Sequence, residues 1–249
     1  LILDDRQSGG VTRFMATFVF VSGAFHGGWC YDKIRPALES AGHNVLTPTL
    51  TGVGENAHLA SLGVINLDTH IADIVALFRW HDLQDVILCG HSYGGMVITG
   101  VADQLADRIT TLVYLDAALP KDGDSQFSLL PVVIAPFVAN ASEDGSLVKP
   151  LQAAQFGCAE EHHAWVDSKL TPHPIACFIQ SIRLTGAYRS IAKRLLVYNT
   201  KDIGMPTPMP GWYEAERLTP GNHVYALDGG HDLMIDSATE LAEILLEHA

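Results

Sequence analysis

Twelve residues near the middle of the chain, Val86-Ile87-Leu88-Cys89-Gly90-His91-Ser92-Tyr93-Gly94-Gly95-Met96-Val97, pass from a continuous apolar run through small residues into a helical pattern. An apolar run without polar alternation, such as Val86 to Cys89, suits a strand buried on both faces, as in a parallel sheet covered by helices. Glycines two positions either side of Ser92 permit a sharp strand-to-helix turn that lifts the serine hydroxyl above the sheet. The N-terminus of the following helix favours negative charge at the same point. A Gly-x-Ser-x-Gly string alone also describes an ordinary glycine-rich turn. The strand before it and the helix after it are what make Ser92 the expected nucleophile.

The rest of the chain repeats the alternation that such a sheet requires. Further strand-like runs fall at Thr17 to Val21, Asn44 to Leu46, Thr111 to Leu115, Leu195 to Tyr198 and His223 to Leu227. Helical periodicity lies between them, at Tyr31 to Ala41 and at Leu67 to His81, where Leu67, Ile71, Ile74, Val75 and Phe78 share a face. Ser237 to His248, with Leu241, Ile244, Leu245 and His248 on one stripe, reads as a final packing helix. Strands alternating with helices predict a mostly parallel sheet with right-handed crossovers.

Residues 117–192 break the pattern, with several prolines, helical stretches such as Ile175 to Leu184 and no convincing strand. An interval of this length predicts an inserted, mainly helical cap over the carboxyl edge of the sheet. Residues 1–14 are polar, carry Ser8-Gly9-Gly10 and read as a leader or flexible extension. The expectation is one α/β domain over residues 15–249 that includes the cap.

Acidic residues outnumber basic ones by 28 to 15, a formal charge of −13 that opposes general affinity for nucleic acid or anionic membranes. No apolar run approaches the roughly 20 residues of a membrane span, and the expected location is cytoplasmic. Cys30, Cys89, Cys158 and Cys177 are scattered without a Cys-x-x-Cys pair, so free thiols are expected rather than disulfides or a metal site. The oligomeric state stays open, a homodimer included.

A serine hydroxyl is a weak nucleophile until a base takes its proton, and in this arrangement the partners follow in the order serine, acid, histidine, on loops after later strands. Of twelve histidines, His231 stands at that address, in Asp228-Gly229-Gly230-His231-Asp232 after the last strand candidate. The expected acid is Asp202, in Asn199-Thr200-Lys201-Asp202; its rival is Asp116, directly after Leu115. An oxyanion needs two fixed donors, one from the residue after the nucleophile and one from the loop after the first strand. These are the amides of Tyr93 and of Ala24, the latter in Ser22-Gly23-Ala24-Phe25-His26-Gly27-Gly28-Trp29. His26 is expected to fix loop conformation and Trp29 to pack, while Glu55 and His58 read as surface residues.

The segment Ser22 to Trp29, then Ala41-Gly42-His43-Asn44-Val45, then Gly90 to Gly95, with Asp202 and Gly229-Gly230-His231, resembles the plant methylesterase and hydroxynitrile lyase branch of the α/β hydrolases. Leu50 to Glu55 is also similar to bacterial esterases of that superfamily, some of which cleave methyl carbamates. The resemblance covers nearly the whole core and is weak across the cap. It implies an α/β-hydrolase fold and a cofactor-free, metal-free site with Ser92, Asp202 and His231 as triad and Ala24 and Tyr93 as oxyanion donors. The lyase members carry threonine where this chain has Gly23 and lysine where it has Asp232, so the esterase chemistry is expected.

The function expected is therefore a serine carboxylesterase acting on a small to medium ester, methyl esters and methyl carbamates included, through an acyl-enzyme on Ser92. Cap residues Phe127, Leu129, Leu130, Pro131, Phe137, Trp165 and Phe178 are candidate walls for its substrate pocket. The alternatives are a cyanohydrin lyase and a non-catalytic ligand receptor on the same fold.

Overall fold

Every second residue of Thr17-Phe18-Val19-Phe20-Val21 faces the same way, and in this chain both faces are apolar. Phe18 and Phe20 pack with Tyr31, Leu38 and Leu241 on one side, and Val19 and Val21 pack with Ile71, Ile74 and Val97 on the other. A strand buried on both faces needs helices above and below it. The computed structural model, which describes residues 15–202, 204 and 207–249, has that arrangement.

Six strands form the central sheet: β1 (Thr17–Val21), β2 (Asn44–Leu46), β3 (Val86–His91), β4 (Ile109–Leu115), β7 (Lys193–Asn199) and β8 (Asn222–Leu227), in the order β2-β1-β3-β4-β7-β8. Each neighbouring pair is parallel. Helix α1 (Arg35–Ser40) lies on one face, and α2 (Leu67–Trp80) and α3 (Gly94–Gln104) on the other. The chain reverses its winding direction at β1, so the carboxyl ends of β1 and β3 open a crevice of the kind in which ligands bind in open α/β sheets.

The chain between β4 and β7 carries α4 (Gln126–Leu129), α5 (Ile134–Ala139), α6 (Glu160–Asp167) and α7 (Ala176–Ile179). It also carries two strands that the sequence does not announce, β5 (Leu147–Val148) and β6 (His173–Pro174), paired antiparallel. They are two residues each, too short for an alternation pattern to show. After β7 come α8 (Met209–Glu216), α9 (Leu233–Asp236) and α10 (Ala238–Glu247).

Two helices are shorter than their periodicity suggests. The first begins only at Arg35, because Gly28–Tyr31 closes as a 3₁₀ turn and Pro36 then starts a new helix in its first turn. The stretch from Ile175 to Leu184 is helical only over α7. Gln180 turns extended there, its amide donating to Asp68 Oδ2 at 2.7 Å while its Oε1 accepts from Asp68 N–H at the start of α2. Residues 1–14, read as a leader, lie outside the described residues. No helix of the described residues is long and apolar enough to cross a membrane.

Candidate active site

Ser92 follows the last residue of β3 and holds φ at +52°, a left-handed value that a side chain adopts only when its surroundings demand it. Its N–H donates to Leu115 O at 3.2 Å, tying the turn to the end of β4. The turn is possible because its flanking glycines have no side chains: a Cβ on Gly90 would stand 2.7 Å from Gly94 O, and one on Gly94 would stand 2.6 Å from Val21 O. The sharp turn expected from the pentapeptide is therefore present, with α3 starting two residues after the serine.

His231 and Ser92 line one cavity, which encloses about 50 Å³ beneath the inserted segment. The His231 loop is held by its own N–H, which donates to Phe156 O at 2.8 Å, and by its carbonyl, which accepts from His91 Nε2 at 3.0 Å. Its Nδ1 donates to a buried carboxylate at 2.5 Å, which leaves Nε2 as the basic nitrogen.

That carboxylate is Asp116 and not Asp202. Asp116 is fully buried one residue past β4, where it accepts from His231 Nδ1 and from Asn199 Nδ2 at 2.6 Å. Its N–H donates to Val197 O at 2.7 Å, and its φ of +45° turns the chain out of the sheet as Ser92 does one strand away. Asp202 is exposed, and its Oδ1 accepts from Gly204 N–H at 2.8 Å. It lies three residues beyond the end of β7, and among the described residues no hydrogen bond joins it to His231.

Burial works against a charged His231, but the hydrogen bond and charge of Asp116, helped by Asp232, outweigh it and hold the imidazole above its ordinary value. Asp232 is also fully buried, with His26 Nε2 at 3.4 Å and His91 Nε2 at 3.6 Å. Burial would raise its carboxyl, yet the neighbouring His26, His91 and His231 bring it well below the usual range. It starts α9 without capping it, and its side chain does not line the cavity.

Among the described residues no acceptor takes the N–H of Ala24 or of Tyr93. The Ala24 loop is clamped on both sides. Its carbonyl accepts from His26 Nδ1 at 2.7 Å, and the next N–H, that of Phe25 at φ +71°, donates to His173 Nδ1 at 3.2 Å. His26 therefore has the loop-fixing role read from sequence, and Trp29 packs edge-on against Trp165. His173, which comes from β6 in the insertion, was not singled out by the sequence, since nothing local marks a contact across 148 positions.

His173 also belongs to a buried group with His70 and Cys177 whose donor atoms lie within 4.8 Å of one another. The protein engages most of these atoms itself, and His173 Nε2 alone of the group's ring nitrogens is buried without a partner among the described residues. His173 Nδ1 accepts from Phe25, and His70 Nε2 donates to Thr51 O at 2.8 Å, which leaves Nδ1 to accept from the Tyr93 hydroxyl at 3.1 Å. Burial lowers both histidines, so the group acts as a neutral hydrogen-bonding scaffold behind Ala24 and Tyr93.

Of the expected pocket walls, Leu130, Phe137 and Phe178 line the cavity. Phe127 backs them, stacked on Phe178 with centroids 5.8 Å apart, while Trp165 is engaged with Trp29. Leu129 and Pro131 do not line it, and Glu55 and His58 are exposed. Gly23 adjoins Ser92: a Cβ there would stand 2.8 Å from Ser92 Cβ and 2.7 Å from His91 Nδ1. The structure has no room for the threonine of the lyase pattern at that position.

Residues 18–244 match the model of the Alpha/beta hydrolase family. The chain is 42% identical over 241 residues to a carbendazim hydrolyzing esterase of Nocardioides sp. (strain SG-4G), covering 93% of this chain and 98% of that one. It is 36% identical over 104 residues to an alpha-hydroxynitrile lyase of Arabidopsis thaliana, covering 41% of this chain and 40% of the lyase. Among solved structures, an extracellular alpha/beta-hydrolase from a Paenibacillus species superposes with a TM-score of 0.78 at 22% identity, over 93% of this chain and 96% of that one.

Proposed function

The chain belongs to the alpha/beta hydrolase family, and on that premise we propose that it is a serine carboxylesterase with Ser92 as nucleophile, His231 as base and Asp116 as the orienting acid. The observation that carries the reading is the pairing of His231 Nδ1 with buried Asp116 in a cavity that Ser92 lines. Full-length similarity to an esterase supports the ester as the bond attacked.

His231 Nε2 takes the Ser92 proton as the oxygen attacks the ester carbonyl. Asp116 keeps the imidazole in the required tautomer and stabilises the imidazolium that forms. The amides of Ala24 and Tyr93 hold the oxyanion, His231 returns the proton to the departing alcohol, and water then releases the acid with His231 again as base. The narrow cavity suits a small to medium ester with a small alcohol, methyl esters and methyl carbamates included. The lyase alternative is disfavoured by the crowding at Gly23.

The test is hydrolysis of p-nitrophenyl butyrate together with labelling by a serine-directed fluorophosphonate. Turnover is expected, with a single label on Ser92 that Ser92→Ala abolishes. Absence of both turnover and label in folded protein would sink the proposal.

A further inference from the structure

The cavity over Ser92 is walled mostly by hydrocarbon: Phe25, Leu130, Phe137, Phe156, Phe178 and Met209 line it. The polar part of the wall is Ser92, His231, His26, His91, Thr207 and Gln126, and of these Gln126 is the one that the stretch between β4 and β7 contributes. Gln126 also lines the cavity and is 4% exposed, and its Oε1 has no hydrogen-bond partner among the described residues. A buried amide oxygen left unpaired is costly, and native structures rarely keep one without a reason.

The position of Gln126 is well defined. It is the first residue of α4, whose start is pinned by a reciprocal pair in which Ser128 N–H donates to Ser125 Oγ at 3.1 Å and Ser125 N–H donates to Ser128 Oγ at 2.9 Å. Its carbonyl accepts from Leu130 N–H at 2.9 Å. The backbone carbonyl is therefore satisfied, whereas the side-chain carbonyl is not.

We propose that Gln126 is a specificity residue whose Oε1 accepts a hydrogen bond from an N–H on the acyl part of the substrate, so that the site prefers N-aryl carbamates and related N–H-bearing aryl acyl groups over hydrocarbon acyl groups of the same shape. The inference rests on the esterase reading above. Phe25, Phe137 and Phe178 meet one another at centroid distances of 5.4, 6.3 and 5.0 Å and supply ring faces and edges for the flat aryl portion. A substrate N–H restores the missing bond, whereas a methylene in its place leaves Oε1 unpaired, a difference that typically amounts to tenfold or more.

With a methyl N-arylcarbamate the chemistry at Ser92 is unchanged. Attack on the carbonyl forms the Ser92 oxygen–carbon bond and expels methanol, which takes its proton from His231. Water then cleaves the carbamoyl-enzyme to a carbamic acid, which loses carbon dioxide and leaves the arylamine.

Methyl N-phenylcarbamate and methyl phenylacetate differ by N–H against CH₂ and share the same leaving group. The ratio of their kcat/KM values, measured by methanol release in the wild type and in Gln126→Met, isolates the contact from the intrinsic reactivity of each ester. The ratio is expected to fall at least fivefold in the variant, and a smaller fall overturns the proposal. If Gln126→Met does not fold, Gln126→Leu is read against the same threshold. A wild type that hydrolyses methyl phenylacetate but not the carbamate also overturns it. Loss of fluorophosphonate labelling at Ser92 would instead strike the esterase reading, so the two failures are separable.

Discussion

Two strands, β4 and β7, each run toward the candidate site and are followed by an aspartate, yet the two carboxylates meet opposite fates. Asp116 is the first residue past β4, its N–H is still bonded to the sheet at Val197 O, and its side chain is buried between Asn199 and His231. Asp202 is three residues past β7, exposed, and turned back on Gly204. The neighbouring strand still supports the carboxylate that His231 meets, through Asn199, its last residue, whose amide donates to Asp116. A carboxylate one residue from a buried strand inherits the rigidity of the sheet. One three residues away has only its loop.

That contrast is broken or upheld most directly by exchanging charge for amide at each position. Asp116→Asn is expected to lower kcat about 10⁴-fold, the scale seen when a triad carboxylate is neutralised, while Asp202→Asn stays within about twofold in p-nitrophenyl butyrate turnover. The reverse order of effects would return the acid to β7. A smaller effect is expected on the other flank of Ser92, where the Ala24 loop depends on a bond from the insertion. His173→Phe removes the acceptor for Phe25 N–H, and kcat is expected to fall about 10-fold to 100-fold with KM little changed, less than the 10²–10³ of deleting an oxyanion donor outright. An effect confined to KM would show that His173 shapes the pocket and not the oxyanion loop.

The smallest expected effect is on pH dependence. A base must be neutral to act, and Asp116 holds His231 above its ordinary value. The acid limb of kcat/KM is thus expected above about pH 6.5. In Asp116→Asn the imidazolium loses its partner, so the limb of the residual activity should move to lower pH. A limb at the same pH in both proteins would contradict the pairing.

What the sequence made legible is what short stretches of chain determine. Ser92 could be found because glycines, strand and helix all lie within twelve residues of one another. His231 could be found because its loop sits between the last strand and the last helix. The carboxylate partner of His231 could not be chosen the same way, because Asp116 and His231 meet across 115 positions, and which carboxylate reaches the ring depends on how far each lies from its strand end. Chain order admits either aspartate and the family resemblance favoured Asp202, and neither carries information on burial. His173 and Gln126 were missed for a related reason: each sits in the irregular stretch between β4 and β7, where no period or motif distinguishes a residue facing the site from one packing the insertion.

The four cysteines add a practical consequence. Cys30, Cys89, Cys158 and Cys177 are free and buried, and burial, first among the causes, raises every one of their thiols. In the native state alkylating reagents therefore find neither access nor thiolate. Their reaction reports the moments when the core opens, so the rate of thiol modification is an internal clock for unfolding. Because that clock is independent of Ser92, it separates loss of structure from loss of chemistry in every variant described above.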